Sequence, residues 1–222
     1  MRKSFRPIDM YKLIILDFDG TIGDTNQIII DTLQTTLSTL GLPKRSKEQC
    51  RRTIGLPLIE SFRAMMPLSN EQNRQCVETY HRLFHEKNKN YKVNVFPGVI
   101  EAIKKWHNDG ILISLASSRG HATLAAFVSD LKLDNYIALV LGADDVKIAK
   151  PDPYPVLKTL KQLGVSAKDT LVVGDMSFDI LMGKRAGCRT CGVTYGNGTV
   201  DELRLAGADI ITDSLMKIDS MS

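Results

Sequence analysis

The chain has 222 residues, enough for one sizeable core or one core with a small accessory unit. Apolar residues make up 43%, charged residues 24%, and the formal net charge is +4, the balance of an ordinary globular protein. Lys and Arg are dispersed among acids with no long basic run interleaved with aromatics, which argues against nucleic acid as a partner. No stretch reaches the roughly 18–20 apolar residues needed to span a bilayer, which argues against a membrane.

The first residues are basic and then apolar, but the apolar run Leu13 to Leu16 is too short for a signal peptide and leads straight into acids. A cytoplasmic location is the expectation. Tyr11 to Leu16 reads as a buried strand ending at Asp17. From Asn26 to Leu40 apolar residues recur at helical spacing until Gly41 stops the helix, and further helices are predicted over 47–54, 57–66 and 70–90. No convincing strand lies between 26 and 93, and the polar stretch 87–92 reads as a return linker.

After Phe96-Pro97-Gly98 the pattern turns to alternation. A helix over 99–108 precedes a strand over 111–116. The series then runs helix 121–131, strand 137–141, helix 153–163, strand 170–173, helix 177–186, strand 190–193, helix 199–206 and strand 209–212. Strands alternating with helices predict an α/β fold, a doubly wound parallel sheet covered on both faces. The expected organisation is a core of residues 1–23 and 95–222 interrupted after its first strand by an all-helical insertion over 24–94.

Ligands of open parallel sheets bind beyond the carboxyl ends of the strands. There the first strand ends in Asp17-Phe18-Asp19-Gly20-Thr21, the strand over 111–116 in Ser117-Ser118-Arg119, and the strand over 170–173 in Gly174-Asp175 with Asp179 to follow. Lys150-Pro151 precedes a helix of the second half. Each piece alone has an ordinary explanation as a turn, a loop serine, a solvated charge or a helix cap. Together, and in this order, they gather four carboxylates, a hydroxyl and a lysine on one sheet edge. Such a cluster repels itself unless a divalent cation holds it, and Mg²⁺ suits an all-oxygen set with room for water and phosphate. A carboxylate can attack phosphorus, a second acid nearby can protonate the leaving oxygen, and a lysine can neutralise phosphoryl oxygens.

These motifs, DFDGT, Ser117, Lys150-Pro151 and GDMSFD, resemble the haloacid dehalogenase-like hydrolase superfamily over essentially the whole chain. The resemblance implies a Rossmann-like core, Asp17 as nucleophile, Asp19 as general acid and base, and Lys150 as the catalytic cation. It implies Mg²⁺ held by Asp17, the Asp19 carbonyl and Asp175, with Asp179 supporting the metal or orienting Lys150. Family dehalogenases lack an acid at the position of Asp19, so the phosphate branch is implied. The insertion is similar to the helical cap of the phosphoglycolate phosphatase and β-phosphoglucomutase branch, in which a cap closes over the substrate. Gly20, Thr21, Ser117, Ser118, Arg119 and Lys150 are the expected phosphate-binding set. Arg52, in the segment Arg51-Arg52-Thr53-Ile54-Gly55-Leu56-Pro57, is a candidate contact from the cap. Gly23 departs from the larger residue common in the family, which predicts a looser hinge into the insertion.

The expected activity is hydrolysis of a small phosphorylated metabolite, phosphoglycolate-like, with pyrophosphate hydrolysis or sugar phosphate transfer as alternatives. A phosphoaspartate receiver is the non-enzymatic alternative, but receivers are typically shorter and carry no helical insertion after the first strand. Cys188 and Cys191 form a C-x-x-C without a second pair at zinc spacing, inside a strand-like segment, and read as ordinary thiols. Cys50 and Cys76 carry no motif. His81 and His85 read as a solvated helix face, His121 as a marginal neighbour of the phosphate and Trp106 as a core anchor.

Overall fold

Leu13–Leu16 is apolar at every position because it is covered on both faces, and it forms β1 with all four side chains buried. The structure, a computed structural model, describes residues 11–87 and 91–220. A two-residue strand β2 (Gly23–Asp24) leads into α1 (Asn26–Thr39), α2 (Lys47–Arg51), α3 (Leu58–Met65) and α4 (Asn70–Lys87). The chain returns through β3 (Asn94–Val95), antiparallel to β2, so a short ribbon ties the two ends of the insertion together. Residues 88–90 of the expected linker lie outside the described residues.

The second part alternates as expected. It contains α5 (Val99–Asn108), β4 (Leu112–Ala116), α6 (His121–Asp130), β5 (Leu139–Leu141) and α7 (Tyr154–Leu163). It continues with β6 (Thr170–Gly174), α8 (Ser177–Arg185), β7 (Arg189–Val193), α9 (Val200–Leu205) and β8 (Ile210–Thr212). Six strands form one parallel sheet in the order β5-β4-β1-β6-β7-β8. β1 is central, paired from Leu13 with Leu112 of β4 and Thr170 of β6. The chain winds outward on one side of β1 and then crosses to the other, which opens a crevice at the carboxyl ends of β1, β4 and β6.

Successive side chains of a strand point to opposite faces, and β1 divides its residues accordingly. Ile14 and Leu16 join Ile103 and Trp106 of α5 and Phe127 of α6 in one cluster. Leu13 and Ile15 join Val156 of α7 and Met182 of α8 in the other. Trp106 is fully buried, the anchor its spacing predicted. Cys191 lies in β7 with Cys188 just before it, both buried. Burial pushes the Cys188 thiol up to about 12 and the Cys191 thiol up as well, so neither is a poised redox thiolate.

The insertion has its own apolar centre, in which Ile30, Leu33 and Leu37 of α1 pack on Phe62 of α3 and Cys76 and Tyr80 of α4. Ser46 and Ser69 each exchange hydrogen bonds with a glutamine three residues on, the reciprocal box that starts α2 and α4. Gly41 takes φ +65° just past α1, where a left-handed residue ends the helix. Gly23 does not loosen the way into the insertion. A Cβ there would stand 2.9 Å from both Phe18 and Val93, so those side chains fill the space a larger residue would take. Among the described residues, no helix is long and apolar enough to cross a membrane.

Candidate active site

Asp17 is the first residue beyond β1, its backbone N–H held 2.9 Å from the Val173 carbonyl of β6. This fixes the carboxylate at the bottom of the crevice, buried, where one of its oxygens, Oδ1, accepts a hydrogen bond from Lys150 Nζ. The same ammonium donates to Asp179 Oδ1 at 2.7 Å. Asp179 Oδ2 accepts from the Met176 backbone N–H at 3.1 Å, so Asp179 orients Lys150 while starting α8. Burial opposes the Lys150 charge, but Asp17 and Asp179 outweigh it and push its pKa up.

Asp175, at the end of β6, accepts from the Asn197 backbone N–H at 2.6 Å and side-chain amide at 3.0 Å, and from Thr21 Oγ1 at 3.3 Å. A Cβ at Gly20 would lie 2.2 Å from Asp175 Oδ2, and Gly20 has φ +91°, so no other residue fits that turn without displacing the carboxylate. Asp17, Asp175 and Asp179 each offer an oxygen within 4.8 Å of the others, all three buried. Burial pushes the Asp17 carboxyl well above its ordinary value despite Lys150, with the other acids adding to the rise. Burial, reinforced by Asp179 and opposed by Asn197 and Lys150, pushes Asp175 up to about 7. Among the described residues, Lys150 is the one ammonium bonded to this trio. The unneutralised buried charge and the all-oxygen donor set fit a divalent cation.

Asp19 stands apart from the trio. Its Oδ1 accepts from Thr25 Oγ1 at 2.6 Å, and Arg119 grips the carboxylate in bidentate fashion, Nη2 to Oδ1 at 2.6 Å and Nε to Oδ2 at 3.1 Å. The Arg119 guanidinium lies 5.1 Å from the ring centre of Phe84 on α4 and 5.0 Å from that of Phe127 on α6. It is thus buried between the insertion and the sheet domain. Burial disfavours its charge, but the Asp19 carboxylate more than restores it.

A cavity of about 120 Å³ opens above Asp17 and Asp19. Its floor carries Ser117, Ser118 and Arg119, and its roof comes from the insertion, including residues 53–56. Ser117 Oγ accepts from the Arg119 N–H at 3.2 Å, a short loop closed after β4. Ser118 Oγ donates to the Gly55 carbonyl at 2.6 Å, so this hydroxyl ties the roof to the floor instead of facing the cavity. Arg52 is not brought to the cavity. Its side chain is 70% exposed and pairs with Glu48 at 2.9 Å, as does that of Arg51 at 2.8 Å. His121 pairs with Asp145 at 2.6 Å and turns outward. His81 borders the cavity instead of standing wholly in solvent.

Three contributors were not singled out from sequence: Asn197, Thr25 and Tyr80. Asn197 has a sequence signal in Gly196-Asn197-Gly198, where a Cβ at Gly196 would meet Asp175 at 2.4 Å. Thr25 sits one residue before α1 and binds backward to Asp19, and Tyr80 looks like any apolar position of an amphipathic helix.

The chain matches the haloacid dehalogenase-like hydrolase family over residues 14–193. It is 35% identical to the protein named "Probable phosphatase IndB" of Dickeya dadantii (strain 3937), an alignment covering 94% of this chain and 92% of the relative. It is 31% identical to pyrophosphatase PpaX of Halalkalibacterium halodurans (91% and 92% covered). It is 27% identical to phosphoglycolate phosphatase 1 of Pseudomonas aeruginosa (95% and 85%). The crystal structure of a haloacid dehalogenase-like hydrolase from Bacteroides fragilis superposes with a TM-score of 0.87 at 25% identity, covering 94% of this chain and 99% of that one.

Proposed function

The chain belongs to the haloacid dehalogenase-like hydrolase family and is a phosphatase of that family, and from that premise we propose that it is Mg²⁺-dependent and hydrolyses a small phosphate monoester through a phosphorylated Asp17. The observation that carries this reading is the joining of Asp17 and Asp179 by one buried lysine beside Asp175, under a cavity that also reaches Asp19.

In the first step an Asp17 carboxylate oxygen attacks phosphorus and the ester P–O bond breaks. Asp19, having taken a proton from water as the substrate binds, gives it to the departing oxygen, which leaves as an alcohol. Lys150 stands against the nucleophile, where it balances charge on the transferring group. In the second step Asp19, now a carboxylate, takes a proton from water. The water oxygen attacks phosphorus, the bond to Asp17 breaks, and inorganic phosphate departs. Asp17, Asp175 and the Asp19 carbonyl would hold Mg²⁺, with Asp179 in support. When bound, the ion supplies positive charge against the phosphoryl oxygens and relieves the repulsion of the cluster. Asn197 and Thr21 keep Asp175 aimed, and Arg119 with Thr25 keeps Asp19 beside the cavity. The helical insertion acts as the cap that excludes water.

The test is phosphate release from a panel of small esters, including phosphoglycolate and pyrophosphate, with Mg²⁺ and with EDTA. The expected result is metal-dependent turnover that Asp17→Asn removes by at least about a thousandfold. Turnover indifferent to EDTA and to that substitution would overturn the reading.

A further inference from the structure

The cap side of the cavity, unlike its floor, has almost no charge. Its wall is formed by Ile29 and Leu33 of α1, Ile54 and Leu56 of the loop before α3, Leu58 of α3 and Phe84 of α4. Into this apolar surface project two polar side chains of α4, Tyr80 and His81. Tyr80 is 8% exposed, and its ring is fixed by stacking on Phe84 at 5.9 Å and by edge contacts with Phe62 and His81. Among the described residues, no hydrogen bond reaches its hydroxyl, and that oxygen is not among the sealed-off polar atoms but borders the cavity. A phenol whose ring is buried ordinarily bonds its hydroxyl to a protein group or to water. One that lines a cavity beside the reacting centre without a protein partner is placed to receive one from a ligand.

We propose that the physiological substrate is a phosphate monoester whose alcohol is a small uncharged body, apolar next to the phosphate and carrying one hydroxyl or carbonyl that hydrogen-bonds Tyr80. This rests on the phosphatase reading and narrows its phosphoglycolate-like expectation. The phosphate half is kept and the second anionic group is removed.

The reason is the distribution of cations. Arg51 and Arg52, the cap residues that would meet a carboxylate or a distal phosphate, are both tied to Glu48. Arg119 stands at the floor, gripped by Asp19 and clamped between two aromatic rings. Burial, assisted by His85, lowers the His81 imidazole from its ordinary pKa. Burial raises the Tyr80 phenol, which stays protonated. An anionic group pushed toward this wall loses its hydration, and the cation that borders it, Arg119, already carries the Asp19 carboxylate. An alkyl or aryl group gains burial, and a lone hydroxyl finds the phenol.

The experiment uses the full chain with Mg²⁺ and compares four esters: butyl phosphate, 1,4-butanediol monophosphate, phosphoglycolate and pyrophosphate. Turnover gives kcat/KM, and calorimetry on Mg²⁺-loaded Asp17→Asn protein gives affinities for the same compounds without hydrolysis. The expected result is that both neutral esters exceed both anionic ones by at least about tenfold in kcat/KM and in affinity. Tyr80→Phe, which keeps the ring packing, should lower the butanediol-to-butyl ratio about five- to tenfold, expressed in KM, the size of one hydrogen bond. Preference for phosphoglycolate or pyrophosphate, or a ratio unmoved by Tyr80→Phe, would overturn the proposal. Asp17-dependent turnover with the anionic preference would do so while leaving the phosphatase reading intact. If none of the four is turned over, the affinities still decide the substrate class, and the failure falls on the reaction.

Discussion

Asn197 shows how a site can depend on a residue whose only sequence signal is the pair of glycines around it. It meets one oxygen of Asp175 with both its backbone and its side-chain N–H groups, within a loop where glycines on either side let the backbone approach. Removing an outer partner of a metal-holding carboxylate typically weakens the metal about ten- to a hundredfold. Asn197→Ala should show a loss of that size in Mg²⁺ affinity by calorimetry, with the fold intact. The acids themselves make a second prediction. An acid whose folded pKa is raised stabilises the fold only while protonated. For Asp175 that contribution is complete below its ordinary value of 3.8 and is lost as pH climbs through about 7. Burial moves Asp17 in the same direction. Bound Mg²⁺ reverses the cost of ionising them, so the rise in Tm on replacing EDTA with Mg²⁺ should be larger at pH 8 than at pH 5. An equal rise at both would contradict these shifts.

Elements carry the parts that must meet. β1, β4 and β6 end together, and the side chains just beyond them (Asp17, Ser117 and Asp175) converge because parallel strands in register finish on one edge. That much was legible from sequence, since apolar runs ending in acids or serine mark strand ends. The helices of the insertion were legible too, from apolar spacing and the stop at Gly41. The ribbon of β2 and β3 was not, because two-residue strands carry no periodicity. The side chains that meet across the gap between insertion and sheet were also hidden, since nothing local to Ser118 says that its hydroxyl will bind Gly55, or to Arg52 that Glu48 will hold it. Ser118→Ala tests the first of these links. It deletes a neutral hydrogen bond worth about 0.5–1.5 kcal/mol between floor and roof. The expected result is a several-fold fall in kcat/KM without loss of Tm beyond about 2–3 °C, read from steady-state kinetics and thermal melts.

For the whole chain, two packed units share one cavity. On the proposed reading the sheet supplies the reacting acids and their lysine, and the insertion supplies an apolar roof with the Tyr80 phenol, so reaction and selectivity would come from different ends of the same void. Arg119 belongs to both, paired with Asp19 below and stacked on Phe84 above. Everything in this division depends on phosphate passing through Asp17. The decisive measurement is therefore acid quench within a single turnover of a phosphate-labelled ester, followed by peptide mapping of the label. The expected result is a transient acyl-phosphate on Asp17, labile to hydroxylamine and absent from Asp17→Asn. Label on another residue, or full turnover with none on the protein at any time and in the Asp17→Asn variant alike, would contradict it.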